Sequence, residues 1–175
     1  NRSLFYGGKR NINEAHDIAP EADFTITLVQ SNFGLPEPEI ISLNSVVKPD
    51  DGNPETKEDI FDETQKSGGE YYQGIRVRLT GIQLVTTDGW DPTKPWNQRK
   101  CIVTDGEGRF FTLRYPRYSL GAAPTNKFDA IGVFSQESDS GTDGTYGYEL
   151  FVQQIEPTVE PVLNISKKIM LSWQG

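Results

Sequence analysis

The stretch from Tyr71 to Ile155 limits the fold of this chain most, because five short runs of alternating polarity follow one another there. They read GIRVRLTGIQLV, KCIVTD, RFFTLRY, KFDAIGVFSQ and YGYELFVQQI, each closed by a Gly, Asp, Asn or Pro turn. Alternation with period two sends one set of side chains to a core and the next outward, as in half-buried strands. Five strands in so short a stretch are enough to close one small barrel. The connections between them leave no room for a catalytic apparatus on long inserted loops. The expected fold is therefore all-β: a small five-stranded barrel with a β extension before it and a further strand after it.

Particular positions refine this. In the first run Val77, Leu79 and Gly81 share one face, while Arg76, Arg78 and Thr80 share the other. A glycine in mid-strand predicts a bulge, where a long strand bends from one sheet layer into the next. The tetrapeptide DGEG at 105–108 predicts a tight hairpin between the second and third runs. QESDSGTDGTYG reads as a hairpin tip before the last strand. Its Asp139 and Asp143 are calcium candidates, although a hairpin tip explains the same residues without a metal.

The short list of reactive side chains removes most chemistries. With one cysteine and one histidine in 175 residues, there is no internal disulfide and no zinc-ligand set. Cys101 alternates with Val103 in a strand-like run and reads as a buried structural thiol. His16 lies in a polar loop, and a nucleophile–His–acid arrangement would have to use this one histidine, far in sequence from every serine in a turn. The expectation is a protein that is not an enzyme and uses no cofactor. No run of 18 apolar residues occurs, so no membrane span is expected.

The ends of the chain read differently from its middle. Residues 1–34 form an N-terminal β extension with an alternating run at Phe24–Val29. Residues 35–157 hold the barrel, entered through GLPEPEIISLNSV and interrupted by an acidic insertion at 48–69. Within that insertion Asp50, Asp51, Asn53 and Glu55 cluster, but not in the order of an EF-hand loop. The reading preferred there is a solvated loop with one helical turn around Glu58–Thr64, pinned by Ile60 and Phe61. Residues 158–175 form a linker and a strand with which another β domain would begin. The start at Asn1, without an initiator Met or a signal-like stretch, predicts a processed or excised product.

Charge follows the same division. The net charge of −8 is uneven: residues 1–34 carry −1, residues 35–70 carry −7, residues 71–135 carry +4 and residues 136–175 carry −4. A basic barrel beside acidic neighbours is either a ligand-facing patch or a set of charges that pair across one surface.

A family resemblance rests on specific residues. LPEPEIISLNSV, followed after a gap by GEYYQGIRVRLTGIQLV, is similar to the entry of OB-fold-like modules in large secreted bacterial proteins. In those modules a Leu-Pro-x-Pro segment precedes a strand matched here by Glu70, Tyr72, Gly74, Val77 and Arg78. VTDGEGRFFTL resembles their Asp-Gly-x-Gly turn, and FDAIGVFSQ with YELFVQQIEP resembles their last two strands. The resemblance covers roughly residues 35–157. It implies an OB-like barrel in a secreted or cell-surface protein, of a type often appended to extracellular nucleases or phosphoesterases. No nuclease metal motif accompanies it.

Three readings of function follow. The first is a structural or assembly module in a fibre or cell-surface subunit, partnered by self-association or by neighbouring β domains through edge strands. Asn1–Asn13 or Leu163–Gln174 would be the donated strands. The second is an accessory module for single-stranded nucleic acid, because OB-folds combine a basic groove with stacking platforms. Its candidates are Arg76, Arg78, Arg109, Arg114 and Arg117, with Phe111, Tyr115 and Tyr118 interleaved. The third is glycan binding, with Trp90 and Trp96 flanking a proline-rich loop that carries Asp88, Asp91 and Asn97. Against it, two tryptophans can equally cap the open end of a barrel.

Overall fold

The computed structural model describes residues 3–6, 9–12, 34–62, 67–138 and 143–158. In chain order the strands are β1 (Ser3–Tyr6), β2 (Lys9–Ile12), β3 (Glu39–Ile41), β4 (Arg76–Leu84), β5 (Lys100–Thr104), β6 (Phe110–Arg114), β7 (Phe128–Gln136) and β8 (Tyr148–Pro157). One short helix, α1, spans Gly69–Tyr72. The first two strands form an antiparallel sheet of their own, with Ser3 opposite Ile12 and Tyr6 opposite Lys9.

The other strands run in the order β3-β4-β5-β6-β8-β7, and β7 returns to pair with β4. Strands β4 to β8 thus close a five-stranded barrel in the order first, second, third, fifth, fourth. Only the β6–β8 pair within it is parallel. This is the OB-like barrel that the five runs predicted. The β3 strand lies outside it, parallel to β4.

A barrel this small needs one strand that serves two neighbours, and β4 is that strand. Arg76–Leu79 pair with β7, whereas Gln83 and Leu84 pair with β5. The change of partner falls after Ile82, which still pairs with Phe128 of β7 just past the bulge at Gly81, φ +68°, where the register shifts between Leu79 and Ile82. The extra residue moves the inward parity by one, so Val77, Leu79 and Ile82 are all buried. Asp129 on β7 fastens the bend. Its Oδ1 accepts from the Gly81 amide at 3.0 Å and the Thr158 hydroxyl at 2.8 Å, and its Oδ2 pairs with Arg78 at 3.4 Å. A second irregularity lies between Ile131 and Gly132. A Cβ at Gly132 would stand 2.1 Å from the Phe151 carbonyl oxygen, so β7 and β8 approach here only because the residue is glycine.

The hairpin at 105–108 forms as its sequence requires. Gly106 and Gly108 take positive φ, Asp105 Oδ1 accepts from the Glu107 amide at 2.8 Å, and Arg109 pairs with Asp105 and Glu107. Inside the barrel Cys101, Val103, Phe111, Leu113, Phe134, Leu150 and Val152 meet the β4 side chains. The Phe111 and Phe134 rings stack at 5.5 Å. Ile41, Leu43, Val46, Val47 and Tyr72 join the same core, so the segment from Glu39 onward is part of the barrel's packing.

The acidic insertion folds differently from expectation. Its described part returns on itself, with Lys48 N donating to Glu58 O at 2.8 Å and Ile60 N to Val46 O at 2.9 Å. Those bonds, with the Val47–Asp59 bridge, commit Glu58–Ile60 to extended backbone and leave no helical turn there. The helical turn is instead α1, where Gly69 has no side chain to strike the Tyr148 ring. Ile60 is half-buried as expected, but Phe61 stays 42% exposed. Asp59 ties the insertion to the β7–β8 connection by accepting from the Gly147 amide at 2.6 Å. Burial pushes its carboxyl up, against the lowering effect of the Gly147 and Tyr148 amides. The strands expected at Phe24–Val29 and Leu163–Gln174 lie outside the described residues, as does His16. No described helix is long and apolar enough to cross a membrane.

Candidate functional site

The outer surface over β6, β8 and β7 carries a cleft of about 610 Å³. The β4–β5 connection supplies Trp96 and Arg99, the end of β6 supplies Arg114, and the residues after it supply Arg117 and Tyr118. Phe151 and Gln153 of β8 form its wall.

Strand parity places Arg114 here. Phe111 and Leu113 point inward, so Arg114 points out, yet it is only 3% exposed. The Trp96 ring covers it, with the guanidinium 4.3 Å from the ring centroid. The parallel β6–β8 pairing brings Glu149 alongside, and the two side chains form a fork. Arg114 Nε donates to Oε1 at 3.1 Å, and Nη2 donates to Oε1 at 3.0 Å and Oε2 at 2.9 Å. Burial pushes the Glu149 carboxyl up, and Arg114 offsets part of that rise.

Arg99 has no such partner. It is 2% exposed, its Nη1 donates to the Tyr115 carbonyl at 2.9 Å, and its buried Nε has no acceptor. Among the described residues no carboxylate pairs with it. Burial lowers its pKa, and the nearby charges of Arg117 and Arg114 lower it further. The cleft therefore holds three arginines against one carboxylate. Two rings border these charges. Trp96 is 42% exposed with its edge toward Phe151 at 5.2 Å, and Tyr118 is 53% exposed with its hydroxyl on Gln153 O at 2.8 Å. Such a surface offers donors and stacking faces, the chemistry for binding an anion that carries rings.

The residues expected from the sequence divide. Trp96, Arg114, Tyr115 and Tyr118 meet at this cleft, and Arg76 borders it through its bond to Gln153 Oε1 at 3.3 Å. Tyr115, however, is 2% exposed, and its hydroxyl accepts from the Leu120 amide at 2.7 Å. Trp90 stands apart from Trp96. It packs on Tyr115 and Phe128 and donates to Gly121 O at 3.0 Å, so it caps the barrel end. Asp91 holds the Thr93 amide and hydroxyl at 2.8 and 2.7 Å, hydrogen bonds that hold its carboxyl below the usual range. Arg78 is committed to Asp129 and Glu156, and Arg109 to the hairpin. Phe111 is buried in the core. The sequence reading missed Arg99, Glu149, Phe151 and Gln153. Only strand parity could have placed Phe151 and Gln153 outward.

Acidic groups surround a different surface. The Asp50, Asp51 and Glu58 carboxylates lie within 4.8 Å of one another, and Asp50 and Asp51 cap the Gly52 and Asn53 amides. The Asp50 amide donates to Gly108 O, which places this cluster beside the β5–β6 hairpin. The like charge of these carboxylates opposes binding of a polyanion at that surface. Asp143 Oδ1 accepts from the Thr145 amide and hydroxyl, and Asp139 lies outside the described residues. Burial pushes the Cys101 thiol up to about 11, so it is protonated at neutral pH.

No protein-family model, curated protein or solved structure matches this chain, so the assignment of its barrel rests on strand order and closure alone.

Proposed function

We propose that this chain is a non-catalytic accessory module that binds single-stranded nucleic acid in the Trp96–Arg114–Tyr118 cleft. One observation carries the reading: exposed aromatic rings border a group of arginines whose charge one glutamate only partly offsets. OB-like barrels bind strands through such combinations of stacking and backbone charge. The usual surface over the second and third strands is here edged by the acidic insertion, which favours the arginine side. The resemblance of residues 35–157 to modules of secreted bacterial proteins supports a secreted or cell-surface setting.

Fluorescence anisotropy with a labelled oligothymidylate tests the reading. Affinity should fall steeply with salt, and Trp96→Ala should cost about 1–3 kcal/mol per stacked base. An affinity for oligosaccharide that ignores salt, with none for the oligonucleotide, would establish the glycan reading instead.

The assembly reading keeps one supporting observation. Ile40 on β3 is 75% exposed and Leu35 before it is 69% exposed, apolar surface beside a strand outside the barrel. If edge strands link copies of this chain, deleting Asn1–Asn13 should convert an oligomer into a folded monomer in light scattering. Oligomers that survive the deletion rule out donation by that segment.

A further inference from the structure

Resting on the nucleic-acid reading, we propose that Arg99 and Arg117 form a subsite for a terminal phosphate monoester of the bound strand. A guanidinium removed from water is expensive unless acceptors replace the lost hydration. Arg99 is 2% exposed and has the Tyr115 carbonyl and the Trp96 ring, 5.3 Å away, but no carboxylate among the described residues. Its Nε is buried with no acceptor. Unlike Arg109, whose Nε is also unpartnered but whose charge two carboxylates match, Arg99 would be completed by an anion from outside the chain.

Charge selects the kind of anion. Arg114 is already matched by the fork with Glu149. Arg99 and the exposed Arg117 remain, both on the cleft, with no carboxylate paired to either among the described residues. Two unmatched guanidiniums suit a group of charge near −2, which a phosphate monoester carries at neutral pH and a backbone diester does not. Depth points the same way. Arg99 lies at the floor, beneath Trp96, where an internal phosphate would have to bring chain in on both sides. A strand end enters with one side only, and its first base is then delivered to the Trp96 and Tyr118 rings.

The test compares three short oligothymidylates carrying a 5′-phosphate, a 3′-phosphate or neither, each titrated against the full chain. One phosphorylated form should bind about tenfold tighter than the unphosphorylated one. That preference should fade below about pH 6, as the monoester takes up its second proton. Arg99→Gln should erase the preference, costing the phosphorylated strand about tenfold more affinity than the unphosphorylated one. Should that buried variant fail to fold, the exposed Arg117→Gln is expected to reduce the preference in the same direction. Equal binding of all three strands overturns the subsite but leaves the nucleic-acid reading standing. Binding of none overturns both. A preference that survives both variants places the phosphate elsewhere and overturns the assignment.

Discussion

Two arginines of this protein live under opposite conditions. Arg78, on the bend of β4, keeps about a quarter of its side chain in solvent and still has two carboxylates, Asp129 and Glu156. Arg99, at the cleft floor, has lost nearly all contact with water and has none among the described residues. Stability alone would arrange them the other way, since the buried charge needs a partner more. The region around Arg78 is a finished electrostatic structure that fixes a bulge. Around Arg99 the acceptor is a backbone carbonyl, that of Tyr115, and the buried Nε has none. Composition cannot distinguish the two, because the +4 of the barrel segment counts both alike.

The comparison can be broken most forcefully at Asp129. Asp129→Ala strips acceptors from the Gly81 amide, the Thr158 hydroxyl and Arg78 together, and should cost about 3 kcal/mol in urea unfolding. A loss within experimental noise would mean that the bulge holds without it. Glu149→Gln comes next. It leaves Arg114 buried with a neutral partner and should cost about 2 kcal/mol, part of which added oligonucleotide restores. Arg99→Met should act with the opposite sign, leaving the free protein as stable or up to about 1 kcal/mol more stable. Marked destabilisation would show Arg99 to be satisfied by the fold, and the contrast would collapse.

The smallest effect concerns pH. Burial raises the Asp59 carboxyl above its ordinary value of 3.8. The folded chain therefore holds that proton to higher pH than the unfolded chain does. Stability is greatest while both forms are protonated and declines as pH rises from about 4 through the folded value. Asp59→Asn should flatten that decline in urea midpoints collected across the range. An unchanged slope would assign it to other carboxylates.

How far these regions were legible in the sequence depends on the distance over which each is specified. The barrel was legible because alternation, the DGEG turn and Gly81 each act within a few residues. The insertion was not, because Glu58–Ile60 bond to Val46–Lys48 across the loop, and that pairing overrides a local helical pattern. Trp90 and Trp96 look like a pair only along the chain. Packing gives one to the barrel cap and the other to the cleft. Arg99 was missed because NQRK reads as solvated, and its burial arises from Trp96 and Tyr115 folding over it.

The barrel closes along a brief parallel seam, Thr112–Arg114 beside Glu149–Phe151, whereas β7 and β8 run together almost end to end. The seam carries the buried Arg114–Glu149 latch, which sits under the ring that roofs Arg99. A strand that occupies the floor would slow hydrogen exchange of the seam amides more than anywhere else, as a wedge that keeps its own doorway shut.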